Sequence, residues 1–107
     1  MSWLAAQILQ NAATAPGNGA SAIAGVNHSF EVTVTGTGAV SVTIEPRTAA
    51  DKAPGAGNLI STAQTVSGTG AASQTFTASG LPAVSASCPI TAISGTGATC
   101  TITYTGA

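Results

Sequence analysis

His28, Asp51 and one of the many serines are the residue types from which a hydroxyl nucleophile, its base and an orienting carboxylate are built. No G-x-S-x-G elbow is present to raise such a serine above a sheet, and a single histidine at a strand entrance is ordinarily solvated or hydrogen bonded. A pair of carboxylates for acid and base work would have to come from Glu31, Glu45 and Asp51, and period-2 alternation turns Glu31 and Glu45 outward as solvated charges. Cys88 and Cys100, with one histidine and no close spacing, make a poor metal-ligand set. The stretch G-N-G-A-S-A (17–22) matches the glycine pattern of a dinucleotide loop. It lacks the preceding strand, the following helix and the later acidic residue, so it reads as a turn. The expectation is a protein that is not an enzyme and that uses no cofactor and no metal.

With 107 residues the chain is sized for a single domain. Charged residues are 5% of it, against roughly a quarter in ordinary globular proteins, while 44% is hydrophobic. Disordered chains pair low hydrophobicity with high net charge, so a folded domain is expected. The only basic residues are Arg47 and Lys52 and the net charge is -1, which leaves nothing to neutralise a run of phosphates and excludes direct nucleic-acid binding. So little surface charge protects poorly against self-association, which implies an exterior covered by neighbours in an assembly. The opening M-S-W-L-A-A-Q-I-L-Q has no basic n-region, and Gln7 interrupts its apolar run. No run approaches the ~18 apolar residues of a membrane span. The chain is expected to act without secretion and without a membrane.

The elements that would position any surface follow from alternation. Phe30 to Ile44 reads F-E-V-T-V-T-G-T-G-A-V-S-V-T-I, apolar at every even position outside the glycines, the pattern of strands with one buried face. The five-residue pattern T/S-G-T-G-A occurs three times, at 35–39, 67–71 and 94–98. Read as three-residue hairpin loops, these repeats pair Val34 with Val40, Val32 with Val42 and Phe30 with Ile44; a two-residue loop would send half the apolar set to the wrong face. The turn glycines are then Gly36, Gly38, Gly68, Gly70, Gly95 and Gly97, with Gly38, Gly70 and Gly97 in the left-handed region. The same rule pairs Ala92 with Cys100 and Ile90 with Ile102. Around the second repeat it gives a poorer apolar set, which assigns that hairpin to an edge or a partner. Cys88 lies four residues from the position opposite Cys100, ~13 Å along the strand, so both cysteines are expected reduced and buried.

Residues 45–58 gather four of the five charged side chains with two prolines and two glycines, and read as a long exposed loop. A short strand is expected around Ser21 to Ala24. The expected fold is all-β: a small antiparallel β-sandwich of about seven strands, with Gly-Thr-Gly hairpins. Residues 1–18 form an N-terminal arm or first strand, and 19–107 the sandwich domain.

The stretches N-A-A-T-A-P-G-N-G-A-S-A-I-A-G, S-F-E-V-T-V-T-G-T-G-A-V-S-V-T-I, V-S-G-T-G-A and I-T-A-I-S-G-T-G-A-T-C-T-I-T resemble small virion proteins of tailed bacteriophages, over about residues 7 to 105. Where such sequences often carry a tryptophan-bearing strand after the first repeat, this chain has the charged loop. The resemblance implies a β-sandwich subunit of the particle, with a capsid decoration or cement role. Its partner would be the major capsid protein or another virion protein, its location the virion after synthesis in the host cytoplasm, and its state a homo-oligomer such as a trimer. Trp3, Leu4, Ile8 and Leu9 are the expected assembly contacts. The rival readings are a neck, tail or fibre component, or an exposed host-surface or sugar-binding module using the 45–58 loop.

Overall fold

The computed structural model describes residues 5–50, 55, 57–60 and 62–107, and every regular element among them is a strand. Two antiparallel four-stranded sheets share one core, a sandwich-like all-β arrangement. The large sheet contains β1 (Gln7–Ala13), β3 (His28–Ile44), β6 (Gln64–Ala78) and β8 (Ile90–Gly106), in the order β1-β8-β3-β6. The small sheet contains β2 (Ser21–Ile23), β4 (Arg47–Ala49), β5 (Asn58–Leu59) and β7 (Ser85–Ser87), in the order β2-β7-β4-β5. Among the described residues the strands number eight, against about seven expected: the six half-strands of the three expected hairpins merge into β3, β6 and β8, and β1, β4, β5 and β7 join β2. Asp51 to Pro54, together with Ala56, lie outside the described residues.

The hairpin reading of the three repeats is overturned. Each repeat sits inside a continuous strand, and β3 pairs along its length with β6 on one side and β8 on the other. Val34 faces Ala72 and Cys100, Val42 faces Val66 and Ile93, and Val32 faces Gln74 and Ile102. The local pairing that hairpins offer gives each half-strand one neighbour, whereas the through-strand gives β3 a ladder on both edges. Long-range pairing therefore wins. The second repeat does lie at an edge, on β6.

The repeats act as bulges laid side by side. Thr35 faces Ala71 and Ala39 faces Thr69, so three residues of β3 oppose the single Gly70. The excess is two, an even number, and the alternation survives: Val32 and Val42 are both fully buried in the same core. Against β8 the excess is one, and the parity of β8 shifts there. Ala92 is consequently exposed and Ile93 turns toward the core, before a second shift between Thr43 and Ile44 returns Ile90 to it. Seventeen extended residues would span ~55 Å at ~3.3 Å each, more than the molecule's longest dimension of 39 Å. β3 and β8 therefore cannot run straight, and the aligned bulges are where such strands bend and twist.

The two glycines of a repeat have separate reasons. Gly38, Gly70 and Gly97 have φ of 70°, 84° and 64°, the left-handed conformation expected of them. Gly36 is where a Cβ would drive into the Val40 side chain, and at Gly95 it would come within 2.7 Å of the Ala39 carbonyl oxygen and 2.9 Å of Val40 Cγ1. Val40 thus packs onto bare backbone from two strands.

The N-terminal segment is a first strand and not a free arm. β1 pairs with β8, and Leu9 is 2% exposed within the core. The Gln10 amide donates to the Gly17 and Cys88 carbonyls, and the Ala20 amide donates to the Leu9 carbonyl. These bonds tie residues 9–20 to the rest of the sandwich.

Candidate assembly surface

His28, Cys88, Cys100, Glu45 and Arg47 are each held within the fold. His28 is fully buried, its Nε2 2.7 Å from the Leu81 carbonyl oxygen and its Nδ1 2.6 Å from the Tyr104 hydroxyl. A carbonyl only accepts, so Nε2 donates to Leu81. Burial pushes the Tyr104 hydroxyl up to about 12, against a smaller downward effect of the Gly25 amide. Both ring nitrogens are hydrogen bonded inside the fold.

Cys88 and Cys100 are free and buried. Burial pushes the Cys88 thiol up to about 12, with repulsion from Cys100 adding to it, and burial alone pushes Cys100 up to about 11. At neutral pH both are held as thiols. Glu45 accepts a hydrogen bond from Arg47 Nη2 at 3.0 Å, while Arg47 Nη1 donates to the Gly57 carbonyl at 2.8 Å. Glu31 stands on the outer face of β3, and Asp51 lies outside the described residues. Among the described residues no three of His, Cys, Asp and Glu come together. No helix there is long and apolar enough to cross a membrane.

An open cleft of about 640 Å³ between β4, Asn58 and the 82–84 segment is lined by small residues, Thr48, Pro82 and Val84 among them. Among the described residues that line it there is no acid, base or thiol.

Two surfaces stand out. The outer face of the large sheet is a hydroxyl platform on which Thr35 bonds Thr99 and Thr43 bonds Thr65 across strands. The second is apolar. Ile23, Val26, Leu81 and Val84 are exposed on two backbone segments joined by hydrogen bonds from Ala24 to Val84, Ala83 to Gly25 and Leu81 to Val26. Beside them the Gln7 amide spans the gap between the sheets, donating to the Ile23 carbonyl and accepting from the Ile23 amide, both at 3.3 Å. Ile8, the next residue, is 56% exposed and Ile23 61%.

Comparison with protein-family models, with curated proteins and with solved structures finds no match to this chain. The reading of these surfaces rests on its own residues.

Of the four expected contacts, Ile8 is at the surface, Leu9 is in the core and unavailable, and Trp3 and Leu4 lie outside the described residues. Adjacent strand residues point to opposite faces, so Ile8 and Leu9 had to part. Sequence pattern does not reveal the apolar border at Ile23, Val26, Leu81 and Val84. Its one signal is S-A-I-A (21–24), where a large and a small apolar residue compete for the interior. The small one, Ala22, wins because it packs with Ala86 against the core.

Proposed function

We propose that this protein is a non-enzymatic structural component of a bacteriophage particle, a decoration or cement protein that bridges neighbouring capsid subunits and acts as more than one copy. The observation that carries this reading is the exposed aliphatic border at Ile23, Val26, Leu81 and Val84, on a domain whose histidine and thiols are buried in its fold. Exposed aliphatics grouped on neighbouring segments mark a contact surface. The sequence resemblance over residues 7 to 105 supplies the particle. The mechanism is added contact area: a protein that binds only the assembled shell stabilises it by linkage, with no bond made or broken.

The test uses particles assembled without this chain, to which the purified protein is returned. The expected result is occupancy comparable in copy number to the major shell protein, and a higher melting temperature of the shell. A variant carrying Ile23→Ser and Val84→Ser keeps the protein's own fold and loses that occupancy. Copies confined to a single vertex would instead assign a neck, tail or fibre role, and no binding to particles would overturn the proposal.

A further inference from the structure

β6 is the outer strand of the large sheet, fifteen residues long, and among the described residues its only strand partner is β3. A sheet edge of that length presents a row of unpaired amide and carbonyl groups, and proteins guard such edges with lysine, proline, brevity or strong bulging. The opposite edge is guarded more heavily: β1 has seven residues, two register shifts and a left-handed Ala12 at φ 49°, against the single register shift at the left-handed Gly70 in the fifteen residues of β6. β6 contains no proline and no charged residue, and its odd-numbered side chains from Thr65 to Thr77 are all exposed.

The sequence of β6 is also complementary to itself. In T-V-S-G-T-G-A-A-S-Q-T-F-T (65–77), reading outward from Ala71 sets Thr69 against Ser73, Ser67 against Thr75, Val66 against Phe76 and Thr65 against Thr77. An antiparallel strand laid against its own copy about a two-fold axis at Ala71 makes these pairs. Hydroxyls then meet hydroxyls on the outer face, in the manner of Thr43 and Thr65 within the sheet. On the inner face the half-buried Phe76 lies beside a second copy's Val66, which extends the apolar layer across the junction. No pair sets like charges together, and the side chains around Ala71 are small, the left-handed Gly70 beside the axis being the one departure from extended backbone there.

We propose that β6 pairs antiparallel with β6 of a second copy about a two-fold axis at Ala71, joining two large sheets into one continuous sheet. The pairing is a property of the free protein and does not depend on the capsid reading, so it is tested without particles.

Sedimentation of the purified chain is expected to give twice its 10.2 kDa mass. Ala71→Lys and Ala71→Glu each set like charges across the axis and halve that mass, while Thr33→Lys, on the exposed face of β3, leaves it unchanged. An equimolar mixture of the Ala71→Lys and Ala71→Glu chains recovers the doubled mass, which only an axis at this residue allows. Independently, an Ala71→Cys variant oxidises to a covalent dimer, since directly paired strand positions lie within disulfide reach. A monomer at every concentration, a trimer, or a doubled mass retained by Ala71→Lys together with no covalent dimer from Ala71→Cys would overturn the pairing.

Discussion

At the scale of single residues, the repeated glycines separate two physical demands that the same residue type meets. At Gly38 the demand is on the backbone, because no atom stands within 4 Å of where a Cβ would be, while φ is 70°. At Gly36 it is on space, because a Cβ would strike Val40. Gly38→Ala is therefore expected to cost about 1–2 kcal/mol, and Gly38→Asn less, since asparagine tolerates the left-handed region. Gly36→Ala carries an overpacking penalty of about 1–3 kcal/mol or more, and Gly36→Asn is worse still. Denaturant midpoints of the four variants check the crossover; the same ranking at both sites would refute it. The buried acids set a second expectation. Cys88 and Cys100 move from 9.0 to about 12 and about 11, and Tyr104 from 10.0 to about 12. Between pH 9 and 12 the unfolded chain has lost protons that the folded one retains, so stability held below pH 9 declines as pH rises through that window. Urea titrations across the window should show the decline, and a Cys88→Ala, Cys100→Ala double variant, though less stable at neutral pH, should show a shallower one. An equal slope in both proteins would mean that the thiols are not its source.

At the scale of elements, the count of residues in a bulge decides which face of β3 is buried. Three residues of β3 oppose one of β6, and the even excess keeps Val40, Val42 and Ile44 inside with Phe30, Val32 and Val34. Deleting Thr37 alone makes the excess odd and turns Val40, Val42 and Ile44 outward. Each is worth ~1.5–3 kcal/mol of burial, together comparable with the ~5–15 kcal/mol that holds a domain folded. Deleting Thr37 and Gly38 together keeps the parity. The single deletion is thus expected to yield an unfolded chain by circular dichroism and amide exchange, and the double deletion a folded one. A folded single deletion with unchanged melting would show that the ladder, and not parity, governs this strand. The same parity explains what was legible in the sequence. Even-numbered burial in β3 can be read directly, and so can the left-handed glycines, because both are local. A three-residue reversal and a three-residue bulge share the same left-handed glycine and the same even spacing, so local pattern cannot distinguish a hairpin from a through-strand. What separates them is the pairing of β3 with β6 and β8, tens of residues away. Alternation alone places Ala92 inward for the same reason: the parity of β8 shifts at a bulge visible only beside β3.

At the scale of the whole molecule, the candidate surface was legible in its chemistry and not in its location. Five per cent charged residues point to a covered exterior, yet the exposed aliphatics at Ile23 and Val84 depend on Ala22 and Ala86 filling the interior in their place. The same composition sets how the molecule should associate. Its net charge is -1, its four loop charges include a Glu45 already bound to Arg47, and neither the aliphatic border nor β6 holds an ionic group. Association through such surfaces is driven by apolar burial and strand pairing, which salt does not screen, whereas contacts between exposed charges fade as the screening length falls from ~30 Å at ~0.01 M salt to ~3 Å at ~1 M. The self-association constant from sedimentation equilibrium should therefore change by less than about threefold, well under the tenfold that ~1.4 kcal/mol represents, when salt is raised from ~0.05 to ~0.5 M. Binding to particles should be as insensitive. A tenfold loss of either affinity over that range would place the dominant contact on Glu31 or the charged 45–58 segment, and would move the functional surface away from the aliphatic border and from β6.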